Sequence, residues 1–106
     1  MNKSTLTTVL EDAGLSPYQA EAYVTVLELG SASATDVAEE SDVPDPRIYD
    51  VLRDLEQRGY VETYEQDSLH ARVYSPESVL EDLRERAGRF EEAAEEIEDR
   101  WEAPTM

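Results

Sequence analysis

The chain has 106 residues, with 26 acids against nine bases, a formal net charge of −17 and a mean hydropathy of −0.63. That length supports one small domain whose core, at 40% apolar content, buries only around two thirds of the unfolded surface, so a partner subunit would help it. No apolar run approaches the ~20 residues of a membrane helix, no basic-then-apolar leader opens the chain, and zero cysteines with one histidine exclude disulfides, thiolate metal sites and His-rich sites.

In chain order, Leu6, Val9, Leu10 and Ala13 are spaced as one face of a short helix that Gly14 stops. Ser16 can cap, and Pro17 can open, a second helix whose apolar stripe of Ala20, Tyr23, Val24, Val26 and Leu27 ends at Gly30. Residues 31–33 read as a connector. Ser33, three before Asp36, makes a variant capping box for a third helix that buries Val37 and Ala38, and SDVP at 41–44 breaks it. A fourth helix starts near Asp45 or Pro46, buries Ile48, Val51, Leu52 and Leu55, leaves Arg47, Tyr49, Asp50, Arg53 and Asp54 outward or flanking, and stops at Gly59. The period then changes to alternation, so residues 60–65 and 69–75 predict two strands of a hairpin around polar 66–68. Pro76 closes the hairpin and can open a last helix from about Glu77 to Glu102.

The predicted fold is therefore mainly α with a small β-hairpin: a winged helix-turn-helix over 1–75, a long coiled-coil-like dimerisation helix over 76–102, and a tail at 103–106. In that arrangement the third helix braces the fourth, whose N-terminal residues enter a major groove about 12 Å wide while the hairpin wing reaches beside it. Arg47 sits in the first turn of this reading helix, where its planar fork suits guanine or phosphate; Tyr49 and Arg53, four apart, share a face suited to clamping the backbone. In the wing, His70 and Arg72 fall on one side of a strand with Ser68 at its tip. The competing reading packs Tyr49 in the core and leaves Arg47 and Arg53 to balance nearby acids.

LSPYQAEAYVTVLELG at 15–30, SATDVA at 33–38, Val43 with Pro44, RIYDVLRDLE at 47–56 and RGYV at 58–61 together resemble the N-terminal domain of the TrmB family of archaeal transcriptional regulators. The resemblance covers roughly residues 6–100. It implies a domain that binds promoter DNA as a dimer; many members add a larger C-terminal effector domain that senses sugars. Since this chain ends at Met106, no such sensor and no small-molecule effector site are expected in it. The resemblance supports Arg47, Tyr49 and Arg53 in the reading helix and implies Thr35 as a phosphate contact. It departs at Asp45 and Pro46, where relatives often carry a basic residue followed by Ser; an acid there repels phosphate but can accept from a cytosine amino group. The candidate DNA-facing set is thus Ser33, Thr35, Pro46, Arg47, Tyr49, Asp50, Arg53, Ser68, His70 and Arg72.

The last helix carries a second signal. Leu80, Leu83, Ala87, Phe90, Ala94, Ile97 and Trp101 alternate three and four apart, a heptad seam along which two chains could zip into a homodimer. With Leu80 at position a, a parallel pair sets Arg86 against Glu91, and an antiparallel pair offers Arg86 near Glu98, so orientation stays open. The competing reading folds the stripe back on its own domain. The acids of this helix read as a solvated face, not a metal site.

So large a charge repels itself in dilute buffer and is tolerated where salt screens it, with a Debye length of about 3 Å at molar ionic strength. A salt-rich cytoplasm is the expected setting. Counterion release, the usual source of DNA affinity for basic proteins, vanishes there, so a few Arg and Tyr at the groove can do the contacting while acids keep the surface hydrated. The expected partners are double-stranded DNA and a second copy of the chain, with no membrane, cofactor or metal. A second class stays open: an acidic winged helix that binds a basic protein or mimics DNA, favoured by Asp45, Asp50 and Asp54 along the reading helix. An enzyme is disfavoured, since no glycine-rich phosphate loop and no nucleophile-base spacing is present.

Overall fold

The computed structural model describes residues 1–102; the predicted tail, 103–106, lies outside them. Helix α1 (Lys3–Asp12) starts at Asn2, whose side chain accepts from the Thr5 N–H, and it buries Thr7 and Leu10. Helix α2 (Pro17–Leu29) opens on a full capping box: Ser16 Oγ accepts from the Gln19 N–H at 3.1 Å, and Gln19 Oε1 accepts from the Ser16 N–H at 3.0 Å. This is the central helix, buried without interruption from Ala22 to Val26 because α1, α3 and α4 all pack on it. The simple one-sided stripe predicted for it is therefore corrected: Leu27 emerges into solvent beyond the enclosed part, as does Val9 on α1. Lys3, the sole lysine, reaches back to α2 and donates to the buried Thr25 hydroxyl at 3.1 Å.

Residues 31–33 are not a connector. Gly30, at φ 82°, turns the chain out of α2 and lays strand β1 (Ser31–Ser33) antiparallel to β3, with Ser31 opposite Arg72, Ala32 opposite Ala71 and Ser33 opposite His70. Three small residues are too short a run for alternation to register in a sequence. Helix α3 (Ala34–Glu40) is capped by Ser33, which accepts from the Asp36 N–H at 3.1 Å. Helix α4 (Asp45–Gln57) follows, burying Ile48, Val51, Leu52 and Leu55 as the spacing predicts.

The chain leaves α4 through Gly59, at φ 79°, and buries Tyr60 and Val61 before the wing begins, so strand β2 (Glu62–Gln66) starts two residues later than the alternation indicates. Strand β3 (Ser68–Arg72) returns after the single residue Asp67, held at φ 65°, a left-handed conformation that aspartate tolerates better than most residues. The sheet has three strands in the order β1-β3-β2. Ala32, Thr63, Leu69 and Ala71 face the helices, and Ser33, Tyr64 and His70 share the outer face.

Helix α5 (Glu77–Arg100) is tied to this body only through its first turns. Val79 is buried, and Leu83 packs on the core edge. The Tyr60 hydroxyl donates to Asp82 at 2.6 Å; burial first, then the Asp82 hydrogen bond and charge, push that phenol up to about 12. Arg86 lies so close to Gly14 that a Cβ there would fall 2.9 Å from its Nη2. Beyond this point the helix runs free, and the molecule measures 72 × 24 × 23 Å. Phe90, Ile97 and Trp101 are 66, 69 and 68% exposed, so the distal seam does not fold back on its own protomer. Among the described residues, five helices, a small sheet and this order of elements make a winged helix-turn-helix followed by a long helix. No helix of the described residues is long and apolar enough to cross a membrane.

Candidate nucleic-acid interface

Helix α4 presents its outward side next to the wing, and the sequence-predicted residues divide between its two flanks. A step of two residues turns a helix by about 200°, so Arg47 and Tyr49 point to opposite sides. Arg47 lies toward α2, its guanidinium 5.8 Å from the centre of the Tyr18 ring. That contact is of the cation–π kind, worth about 0.5–1 kcal/mol at an exposed site. Among the described residues Arg47 forms no ion pair. Between it and the N-terminus of α2 is an open cavity of ≈380 Å³, which Asp50 and Asp54 also line.

Tyr49 and Arg53 occupy the other flank. Tyr49 is 51% exposed, which removes the reading that packs it in the core. Arg53 is committed more than its sequence context indicates: its Nη1 donates to the Thr63 hydroxyl at 3.2 Å and pairs with Glu56 at 3.4 Å. Glu56 is the hub of this junction. It accepts from the Thr63 N–H at 2.9 Å and from the Thr63 hydroxyl at 2.6 Å, and so clips β2 to α4. Those two bonds, the hydroxyl first, hold its carboxyl below its ordinary value of 4.5 against the opposing effect of burial, with Arg53 contributing in the same downward direction.

The remaining predicted residues lie around this ridge. Pro46 is exposed in the first turn of α4, after Asp45. Helix α4 has no side-chain cap at Pro44, so the Asp45 carboxylate interacts favourably with the helix dipole, by roughly 0.3–1 kcal/mol. Asp45 thus has a local role. Thr35 is exposed in the first turn of α3, while the Ser33 hydroxyl is occupied by its cap.

In the wing, Ser68 is exposed beside the turn, and His70 Nδ1 sits 2.9 Å from its carbonyl oxygen. The His70 ring stacks on Tyr64, with centroids 5.3 Å apart and planes at 26°. Arg72 pairs with Glu62 at 2.9 Å and lies 5.6 Å from the Tyr64 ring and 5.9 Å from the Tyr74 ring. The Tyr64 hydroxyl is hydrogen-bonded to Ser31 on β1. Sequence reasoning missed Tyr18, Glu56, Tyr64 and Tyr74. For Tyr64 a signal existed, since residues 62 and 64 share a face by alternation. Glu56 and Tyr18 meet their partners only through the fold. No group of three or more His, Asp or Glu among the described residues could hold a metal ion.

Comparison with known proteins agrees with this architecture. The family model described as sugar-specific transcriptional regulator TrmB matches residues 10–86. The HTH-type sugar sensing transcriptional regulator TrmBL1 of Pyrococcus furiosus is 47% identical over 77 residues, which are 72% of this chain and 22% of that protein. The DNA-binding HTH-type transcriptional repressor TrmBL2 of Thermococcus kodakarensis is 35% identical over 89 residues, 84% of this chain and 31% of its own length. The solved structure of a TrmBL2, described as an archaeal chromatin protein with a novel mode of DNA binding, superposes with a TM-score of 0.70 at 33% identity, covering 92% of this chain and 39% of that one. YusO of Bacillus subtilis, at 17% identity and a TM-score of 0.59 over 94% of this chain and 74% of its own, shares the fold alone. The chain spans between about a fifth and a third of the length of the curated relatives it matches. From the match over residues 10–86 and these identities, the chain belongs to the TrmB family of transcriptional regulators, not to an enzyme family.

Proposed function

We propose that this chain binds double-stranded promoter DNA sequence-specifically in the cytoplasm of a salt-rich cell and regulates transcription as a homodimer. Residues 1–75 form the DNA-binding unit, and 76–102 the pairing helix. The observation that carries the reading is the exposed outward side of α4, with Arg47 and Tyr49 in its first turns beside a wing clipped on by Glu56. In this reading Arg47 reaches a base edge, Tyr49 and Arg53 the backbone, and Ser68, His70 and Arg72 the flanking groove. Thr35 and Ser33 stand at the start of the bracing helix, and Pro46 and Asp50 flank Arg47. The names of the relatives support DNA as the ligand, and the net charge of −17 supports the salt-rich setting.

The seam from Leu80 to Trp101 supports the homodimer, because three large side chains on a free helix stay exposed among the described residues of the protomer. A second reading, a DNA mimic for a basic protein, draws on Asp45, Asp50 and Asp54, all exposed on α4. Fluorescence anisotropy with genomic fragments in molar KCl separates the two, since a mimic leaves duplex unbound. For the favoured reading, Arg47→Ala should cost about 1–3 kcal/mol of specific binding. Unchanged affinity and unchanged site preference would remove Arg47 as the base reader.

A further inference from the structure

We infer that two copies of α5 pair antiparallel, in a register that seats Trp101 of each copy in the apolar groove between α1 and α5 of the other. This rests on the homodimer reading and adds its orientation and its anchor.

The first argument is side-chain size along the seam. In a parallel, in-register pair, Ala87 meets Ala87 and Ala94 meets Ala94, while Phe90 meets Phe90 and Trp101 meets Trp101. Two layers are then underfilled and two overfilled, which well-packed helix pairs avoid by setting large residues against small ones. Reversing one helix pairs each a position with a d position. With residues 83 and 101 opposed, Phe90 faces Ala94 and Ala87 faces Ile97, so each alanine of the seam receives a large side chain.

The second argument is the groove. Val9 of α1 and Ala13 just past its end, with Leu83, Ala87 and Phe90 of α5, line an almost wholly apolar space of ≈290 Å³, rimmed by Asp12 and Arg86. It adjoins Leu83, where this register delivers Trp101 of the second copy, and its volume admits an indole. The exposure of Val9, unexplained within one protomer, is accounted for by the same contact. Large seam side chains bury ~100–200 Å² each, so the two copies cover on the order of 1,000 Å², the scale of a specific interface.

Charge points the same way. Residues 77–89 carry four acids and three arginines, nearly balanced, whereas 90–102 carry seven acids and Arg100 alone. Parallel pairing sets the two anionic halves side by side. Antiparallel pairing sets each beside Arg84, Arg86 and Arg89; in this register it is Arg84, not the Arg86 that the sequence offered, that faces Glu98. Arg100, which approaches Arg86, is already paired with Glu96 at 2.6 Å.

The absence of cysteine makes the test direct. Ala87→Cys and Ile97→Cys are prepared separately, one carrying a mass tag, both at exposed positions whose change leaves the core intact. The mixture is oxidised with copper phenanthroline in molar KCl and resolved by mass, alongside light scattering of the unsubstituted chain. The expected result is the mixed, singly tagged dimer, with self-linked dimers at background, because two copies of residue 87 stand about 15 Å apart along an antiparallel pair. Self-linked dimers in each variant would establish parallel pairing and overturn the inference while keeping the homodimer. Dimeric mass without any crosslink would place the interface elsewhere and also overturn it. A monomer by light scattering would overturn the homodimer reading itself.

Discussion

The clip at Glu56 is the contact on which the wing's position relative to α4 depends, and Glu56→Ala is the perturbation that isolates it. The substitution removes acceptors for the Thr63 N–H at 2.9 Å, the Thr63 hydroxyl at 2.6 Å and Arg53 at 3.4 Å. A hydrogen bond to a charged group contributes about 1.5–3 kcal/mol when desolvated, and this junction is partly open to water, so a loss of about 1–3 kcal/mol for the set is expected. Urea unfolding at fixed molar KCl measures it, together with Thr63→Val and the double variant. If both residues act through one junction, the double variant should lose at least ~0.5 kcal/mol less than the sum of the singles. The pH dependence follows from the lowered carboxyl: in the folded chain Glu56 stays ionised below its ordinary 4.5. Its stabilisation is therefore fully present above 4.5 and is lost as pH falls through the lower folded value. Duplex affinity should fall with stability, although Glu56 touches no DNA in this scheme. Strict additivity of the two singles, with an acid transition unchanged by Glu56→Ala, would refute the clip.

Two further substitutions probe the body. Leu52, on the inner side of α4, is fully buried, and Leu52→Ala should cost about 2–5 kcal/mol of unfolding free energy, read by thermal or urea melts. Tyr60, raised from 10.0 to about 12 in the folded chain, holds its proton longer than in the unfolded one, so stability should decline as pH rises from about 10 to about 12. Tyr60→Phe should reduce that decline, leaving the part due to Tyr23, whose phenol burial also raises, and, by freeing Asp82, loosen α5 at its root; hydrogen exchange of the first turns of α5 reads the second effect.

Most of the architecture was legible because its determinants are local. Ser16 with Gln19, Ser33 with Asp36, and the glycines at 14, 30 and 59 punctuate the helices through contacts within four residues. The four buried positions of α4 follow from period alone. What escaped was non-local. Strand β1 is a strand only because β3 lies beside it, some forty residues away in sequence. The stripe of α2 was too narrow because three helices enclose it. In the candidate interface, the spacing of 49 and 53 placed them correctly on one face, but no pattern in one sequence says that Arg53 meets Thr63 or that Arg47 meets Tyr18. The arginines at 53 and 72, read from sequence as groove contacts with charge balance as the alternative for 53, are each already half of an ion pair.

Those pairs bear on how so acidic a chain meets a polyanion. The salt dependence of DNA affinity has a slope near −0.9 per phosphate neutralised, because each neutralisation releases condensed counterions. When an arginine already paired with a carboxylate turns to a phosphate, one anion replaces another and little net neutralisation occurs. Arg53 and Arg72 are in that state, with Glu56 and Glu62. On α4, that leaves Arg47, and Arg58 at its C-terminal end, as cations outside any ion pair among the described residues. In the proposed dimer this face then neutralises no more than about four phosphates, and the logarithm of affinity should fall with the logarithm of KCl at a slope no steeper than about −4. Releasing the pairs should steepen it, so Glu62→Gln, which frees Arg72, is expected to add up to about −2 for a dimer while raising affinity at low salt. Titrations from tenth-molar to two-molar KCl give both slopes. A value near −8 for the unsubstituted chain would mean that cations beyond this face carry the binding, and an unchanged slope in Glu62→Gln would mean that the carboxylate partner does not hold Arg72 back from phosphate.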